Sequence, residues 1–229
     1  MEFLIISLLS IILIFVLFAI FGVNMKKLKE MTNIKELDKI SDKYPSNIKI
    51  CKEYLKKLKN EKVKIEENEG SDTTVYIAIT NKISIGNLRN SYTRIQTIAH
   101  ECLHSIQNRK ILLFNFIFSN IYLIYFFAVL IIAIFGKLPN QMACITTLAI
   151  LGIVYLIVRM YLENDAMIKA RYLAKEYMEE KEISTKEEIE KMIQQYDIVN
   201  DLGIKCVHYQ LALNVLAKIA ILSLVCFWR

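Results

Sequence analysis

The chain has 229 residues, of which 55% are hydrophobic and 23% are charged. This apolar content excludes an intrinsically disordered chain, and five irregularly spaced cysteines without a CxxC pair predict reduced structural thiols rather than a disulfide scaffold. A formal net charge of +6 would suit nucleic acid, but no basic groove interleaved with aromatic residues stands out, so we expect no nucleic-acid partner.

The first predicted element is a membrane helix at residues 3–23, a run that contains no charged residue. A helix of about 20 residues crosses the hydrocarbon core of a bilayer. The alternative is a cleaved signal peptide, but the run follows Met-Glu without a basic residue, and no A-x-A cleavage site comes after it. We therefore expect a retained anchor.

Residues 24–110 form the predicted membrane-proximal α+β region. Apolar residues recur at helical spacing over residues 33–60 on both sides of Pro45, which predicts two short amphipathic helices. These helices lie either near the membrane surface or in a solvated packing layer. Residues 63–66 and 74–80 alternate apolar and polar side chains around a turn-rich cluster, which predicts a strand pair.

The most informative pattern is H-E-x-x-H, which begins at His100 on an uninterrupted helix predicted over residues 91–110. At about 100° per residue, His104 returns to the face of His100 one turn along, so both imidazoles can bind one Zn²⁺. Glu101 flanks this face and is expected to take a proton from metal-bound water as a general base. The alternative is an ordinary pair of surface histidines on an amphipathic helix.

The second predicted strand lies just upstream of this helix. Metallopeptidases commonly have an edge strand beside the metal-binding helix, where an extended peptide adds through backbone hydrogen bonds. We therefore expect alternate residues of this strand to face a substrate, namely Thr74, Tyr76 and Ala78.

A transmembrane hairpin is predicted at residues 111–158, because two long uncharged runs are separated only by the breaker-containing stretch G-K-L-P-N-Q. Residues 159–206 follow as a second polar region with two predicted helices, at residues 164–182 and 185–200. This region is expected to supply the third zinc ligand.

Residues 207–229 are the fourth predicted membrane helix, and Lys218 interrupts their apolar run. Gln210, Asn214 and Lys218 are four residues apart, so they form one polar stripe. Such a stripe is expected to face protein or water rather than lipid.

Lysine and arginine residues flank the predicted membrane helices unevenly. Those near the membrane ends of residues 24–110 and 159–206 are Lys26, Lys27, Lys29, Arg109, Lys110, Arg159, Lys169 and Arg171. The tip of the hairpin carries only Lys137. Because cytoplasmic segments are enriched in Lys and Arg, we expect residues 24–110 and 159–206 on the cytoplasmic side and both termini outside.

A catalytic zinc ion needs a third protein ligand and an open position for water. The predicted topology brings Glu163 and Asp165 to the same side of the membrane as His100, and the remaining histidine is His208. Glu163 can then reach the metal, and Asp165 can hold a ligand imidazole from behind. Tyr209, with His208 behind it, is the candidate oxyanion donor, and a place in the aromatic belt of the membrane interface is its alternative role.

These patterns together resemble the YugP-like membrane zinc metallopeptidases, a branch of the gluzincins. The resemblance rests on H-E-C-L-H-S-I-Q at residues 100–107 and on L-E-N-D-A at residues 162–166, separated by a transmembrane hairpin. An anchor and a strand precede the first motif, and a membrane helix follows the second. Family members typically carry H-E-x-G-H-A-I-Q and E-F-D-A, so Leu103, Ser105 and Asn164 depart from the pattern at packing positions around the site.

The resemblance implies zinc bound by His100, His104 and Glu163, with Glu101 as the general base. It also implies a mainly helical integral membrane protein with about four transmembrane helices. A small zincin-like α+β element, a strand pair followed by the motif helix, is expected on one side of the membrane.

The expected activity is zinc-dependent hydrolysis of peptide bonds in peptides or membrane-associated proteins. The expected location is the cytoplasmic surface of a bacterial cell membrane, with the lipid bilayer as the constant partner. The alternative is a membrane scaffold or binding protein that holds zinc without catalysis. Structural zinc usually has four protein ligands and would not need Glu101, which favours the enzyme. The oligomeric state is not predicted.

Overall fold

The computed structural model describes residues 1–88 and 91–229, which form a mainly helical chain with one small sheet. The helices are α1 (Glu2–Phe21), α2 (Met25–Met31), α3 (Lys35–Asp42), α4 (Asn47–Lys57), α5 (Arg94–Ile106), α6 (Arg109–Ile134), α7 (Gln141–Lys181) and α8 (Lys186–Trp228). The strands are β1 (Lys64–Glu67), β2 (Val75–Ile77) and β3 (Lys82–Ile85).

Four helical segments among the described residues have the length and apolar composition needed to cross a bilayer. They begin with α1, α6, α7 and α8, and each covers most of one of the predicted apolar runs. The number of membrane-length helices expected from the sequence is therefore confirmed.

Two of these helices are longer than the sequence pattern indicates. The third apolar run and the helix predicted at residues 164–182 are one helix, α7, of 41 residues. The helix predicted at residues 185–200 and the last apolar run likewise form α8, of 43 residues. No proline interrupts either helix, so the change from apolar to polar composition does not end it.

The predicted strand pair is wrong, because β3 lies between its two members in the order β1-β3-β2. β1 pairs with β3 in parallel and β2 pairs with β3 antiparallel. The run expected to continue through residue 80 leaves the strand after Ile77, and Asn81 closes the turn with a φ of 48°. Ile83 and Ile85 of β3 are both fully buried, which explains why β3 takes the central position.

The helix predicted over residues 91–110 is shorter than expected and ends at Ile106. Gln107 has an extended backbone with a ψ of 161°, and α6 begins at Arg109. The side chain of Gln107 donates a hydrogen bond to the Leu162 carbonyl at 2.8 Å. This non-local bond holds the extended residue that separates α5 from α6.

The chain divides into two compact units. The apolar unit comprises residues 1–23, 114–161 and 205–229, and the polar unit comprises residues 24–113 and 162–204. In the apolar unit, α7 and α8 approach closely at Gly152. A Cβ atom added there would lie 2.5 Å from Val215 Cγ1 and 3.0 Å from the Tyr122 hydroxyl oxygen, so a larger residue would separate the helices.

Arg94 connects the motif helix to the rest of the polar unit. Its side chain is 4% exposed, and its guanidinium donates to the backbone carbonyls of Ser41, Tyr44 and Pro45. It also donates to the side chains of Ser41 and Asn47. The five bonds reach the end of α3, the start of α4 and the connection between them, so one buried cation fixes this corner against α5.

Replacing Arg94 with Met should destabilise the polar unit. The substitution leaves buried carbonyls without donors, at a cost of about 1–3 kcal/mol each, so we expect a loss of about 3 kcal/mol or more in the free energy of unfolding. Cys51 and Cys102 are fully buried and report unfolding through maleimide labelling in urea, in a variant whose other cysteines are serine. Lys175→Met, on an exposed helix face, is the matched control and should change stability by about 0.5 kcal/mol or less. Equal labelling midpoints for the two variants would contradict this role of Arg94.

Candidate metal centre

Helix α5 brings the two motif histidines together on one face. The Nε2 atoms of His100 and His104 are 3.0 Å apart, and the ring planes are nearly perpendicular at 88°. The opposite face carries Ile95, Ile98 and Cys102, which are fully buried. Burial of that face fixes the rotation of α5, and the two imidazoles consequently lie on the other side.

Glu163 of α7 completes the group. Its Oε2 atom is 3.5 Å from His100 Nε2 and 3.7 Å from His104 Nε2. Three atoms that each lie about 2.0–2.1 Å from one tetrahedral ion are about 3.3 Å apart, which is close to these separations. The residues expected as ligands are therefore brought together, and the three of them can hold a metal ion.

Gln107 fixes the tautomer of His104. The Gln107 side-chain nitrogen donates to the Leu162 carbonyl and to Asp165 Oδ2, which leaves its Oε1 atom as an acceptor. That oxygen is 2.8 Å from His104 Nδ1, so Nδ1 carries the proton and donates it. The Nε2 atom is then the lone-pair nitrogen that faces His100 and Glu163, as metal binding requires.

The expected contact between Asp165 and a ligand imidazole is made through Gln107. Asp165 accepts a hydrogen bond from Gln107 at 3.1 Å and also pairs with Lys169 on the next turn of α7. Sequence reasoning assigned no role to Gln107. The signal was nevertheless present, because Gln107 is the last residue of H-E-C-L-H-S-I-Q.

The electrostatics of the site favour a cation between these groups. Burial opposes protonation of His104, but the hydrogen bond and charge of Glu163 and the charge of Glu101 raise the pKa of His104 above its ordinary value. The carboxylates of Glu163 and Glu101 therefore stabilise a positive charge beside the His104 imidazole.

Glu101 lies beside the ligand group and is held by the sheet. Its Oε2 atom accepts a hydrogen bond from the backbone N–H of Tyr76 at 2.6 Å, and its Oε1 atom is 3.9 Å from His100 Nε2. Burial raises the pKa of the Glu101 carboxyl, although His100, His104 and the Tyr76 amide act in the opposite direction. A buried carboxylate with a raised pKa suits proton transfer near neutral pH.

Among the residues that the structure describes, β2 has β3 as its neighbour on one side only, so the strand beside Glu101 is an edge strand. The N–H and C=O groups of one residue point to the same side of a strand, so the Tyr76 carbonyl faces the free edge together with the N–H that reaches Glu101. Thr74 precedes β2 and accepts a hydrogen bond from the Gly86 N–H, and Ala78 lies in the following turn. The substrate-facing role of these residues stays a prediction.

His208 and Tyr209 belong to the apolar unit. The Tyr209 ring lies 5.5 Å from the Phe18 ring, and the His208 ring lies 6.2 Å from the Phe21 ring, both in edge-to-face geometry. These contacts are with α1, and the catalytic roles expected for the two residues stay predictions.

In comparisons with known proteins, no family model, no curated protein and no solved structure matches the chain. The relation to the YugP-like peptidases therefore rests on the motifs alone and stays a prediction.

Metal content tests the ligand group. We expect about one metal ion per chain by mass spectrometry of detergent-purified protein, and less than a tenth of that in His104→Ala and Glu163→Ala, because each loses one of three ligands. Gln107→Ala should keep the site but weaken metal affinity by about 10–100-fold, since it loses the hydrogen bond that orients His104. Glu101→Gln is the matched control and should retain the metal. Unchanged content in Glu163→Ala would remove Glu163 from the ligand set.

Proposed function

We propose that this protein is an integral membrane zinc metallopeptidase whose site faces the cytoplasm. The observation that supports the proposal best is the triangle of His100, His104 and Glu163 with the buried carboxylate of Glu101 beside it. The triangle can bind a metal ion that acts as a Lewis acid. Glu101 is not one of the ligands and can accept a proton.

Zinc fits this donor set. Two imidazoles and one carboxylate are the protein ligands of many catalytic zinc sites, which leave a fourth position for water or substrate. When bound, zinc supplies a Lewis acid and lowers the pKa of a coordinated water to about 7. The same donors also suit ferrous iron, but the proton acceptor beside them favours hydrolysis.

Glu101 carries the proton transfers in the proposed reaction. The Tyr76 N–H holds one of its carboxylate oxygens at 2.6 Å, which leaves the oxygen on the His100 side to accept a proton from the attacking water. The same oxygen then delivers the proton to the amine that leaves when the peptide bond breaks. Both proton transfers need a carboxylate in a fixed position. The burial of Glu101 and its hydrogen bond from the Tyr76 N–H hold the carboxylate in place.

The proposed substrate is an extended peptide segment that adds to the edge of β2 opposite β3, where no strand pairs among the described residues. Its backbone would donate to the Tyr76 carbonyl, which shares that edge with the amide bonded to Glu101. Such backbone pairing aligns the scissile carbonyl beside the ligand group with little dependence on sequence. Peptides and membrane-associated proteins with unfolded segments fit this requirement.

The proposed location is the cytoplasmic side of a bacterial cell membrane. Residues 24–113 and 162–204 form one compact unit, which supports the proposal that the two segments share one side of the membrane. The basic residues that flank the membrane runs favour the cytoplasm for that side, since the tip between α6 and α7 carries only Lys137.

Peptidase activity is tested with an unfolded protein substrate and the purified protein in detergent. We expect cleavage that a zinc chelator abolishes and added zinc restores. Glu101→Gln should lower kcat/KM by about 10²–10⁴-fold while retaining the metal, because it loses only the proton acceptor. A wild type that binds zinc but cleaves neither the protein substrate nor an extended-peptide library would favour the alternative, a zinc-binding scaffold. Full activity in Glu101→Gln would contradict the mechanism.

Orientation is tested by cysteine accessibility in intact bacterial cells, in a variant without the native cysteines. A membrane-impermeant maleimide should label Lys137→Cys from outside, because the tip between α6 and α7 is expected there. Lys56→Cys, on an exposed position of α4, should be labelled only after permeabilisation. The reverse pattern would place the candidate site outside the cell.

A further inference from the structure

Lys218 lies half-way along the apolar run of α8. The run extends over residues 207–228, and at a rise of 1.5 Å per residue Lys218 is about 15 Å from either end. A lysine near the end of a membrane helix can extend to the headgroups, but one in the middle of the run cannot. Charged residues at this depth are rare and mark functional contacts.

The apolar unit compensates this charge only in part. The Lys218 ammonium lies 4.2 Å from the centre of the Tyr122 ring and 5.8 Å from that of Phe126. It donates a hydrogen bond to Asn214 Oδ1 at 2.7 Å. Ring faces and an amide oxygen attract a cation but carry no net charge. A carboxylate is the group that would neutralise it, and the four apolar runs contain neither Asp nor Glu.

An exposed face of α8 beside Lys218, which we call the seam, combines polar, small and apolar residues. Residues spaced alternately four and three apart line this face: Gln210, Asn214, Ala217, Ile221 and Leu224. All are exposed except Ala217, which is half-buried. Positions spaced in this way lie on one face of a helix, and on this face small and polar residues such as Ala217 and Asn214 favour close packing in membranes.

We propose that this seam is the docking surface for a transmembrane helix of another protein that carries an Asp or Glu at the middle of the bilayer. The carboxylate pairs with Lys218, and the amides of Gln210 and Asn214 hydrogen-bond to polar groups of the partner helix that lie opposite the two preceding turns of α8. This inference rests on the membrane insertion proposed above and is independent of peptidase activity.

Two other occupants fit the seam less well. A second copy of this chain brings no acidic residue into the bilayer and would place two Lys218 ammonium groups near each other at low dielectric. A lipid phosphate lies in the headgroup region, about 15 Å from the middle of the hydrocarbon core. Charge and depth therefore favour a helix with a buried carboxylate.

The test measures energy transfer between the labelled full-length protein and synthetic transmembrane peptides in phosphatidylcholine vesicles. The peptides are Leu-Ala helices with a single central Asp, Asn or Leu. We expect the wild type to bind the Asp peptide at least about 10-fold more tightly than the Leu peptide. Lys218→Met should abolish this preference. Ala217→Phe should weaken binding of all three peptides, whereas Leu9→Phe, at an exposed position of α1, should leave it unchanged.

The possible outcomes test the docking surface separately from membrane insertion, on which it rests. Equal binding of the Asp and Leu peptides, or an Asp preference that persists in Lys218→Met, would overturn the docking surface. Energy transfer between two copies of the protein without peptide would identify a second copy instead. A signal that appears only with anionic lipid would identify a headgroup. Resistance of the protein to alkaline carbonate extraction tests membrane insertion separately, so failure of the premise is recognised as such.

Discussion

The candidate metal centre depends on the hydrogen bonds of one side chain, Gln107. Helix α5 supplies both imidazoles, but the carboxylate comes from α7, more than fifty residues later in the chain. Gln107 donates to the Leu162 carbonyl and to Asp165, the neighbours of Glu163, and accepts from His104 Nδ1. The same amide therefore sets the position of α7 against α5 and the tautomer of a ligand. Gln107 lies just beyond the end of α5 with an extended backbone, and from there its side chain contacts both α5 and α7.

The opposite face of α5 provides the rigidity that such a site needs. Arg94 fixes the connection between α3 and α4 through five hydrogen bonds, and Cys102 packs with its sulfur 3.7 Å from that of Cys51. The sheet reaches the site from another direction, through the Tyr76 amide on Glu101. Groups that must act at fixed distances are thus held from several directions by buried contacts.

Features with a local physical cause could be predicted from the sequence. The four apolar runs follow from composition alone, and the shared face of His100 and His104 follows from the helical period. Glu163 was predicted from the expected topology, in which a hairpin returns the chain to the side of His100, and from the family resemblance. The central position of β3 could not be predicted in this way, since its parallel pairing with β1 and the burial of Ile83 and Ile85 are non-local. The end of α5 was missed for the same reason, because the bond that holds Gln107 extended reaches across to Leu162.

The amide of Tyr76 also makes the state of Glu101 visible to spectroscopy. A backbone N–H bonded to a charged carboxylate oxygen at 2.6 Å has its proton strongly deshielded, and protonation of the carboxylate weakens that bond. In protein labelled with ¹⁵N-tyrosine, the Tyr76 resonance would follow the ionisation of Glu101 as the pH is changed. Because the reporter is a main-chain group, it remains in variants that alter the side chains of the site. The edge strand thereby offers a direct view of the proton on which the proposed chemistry depends.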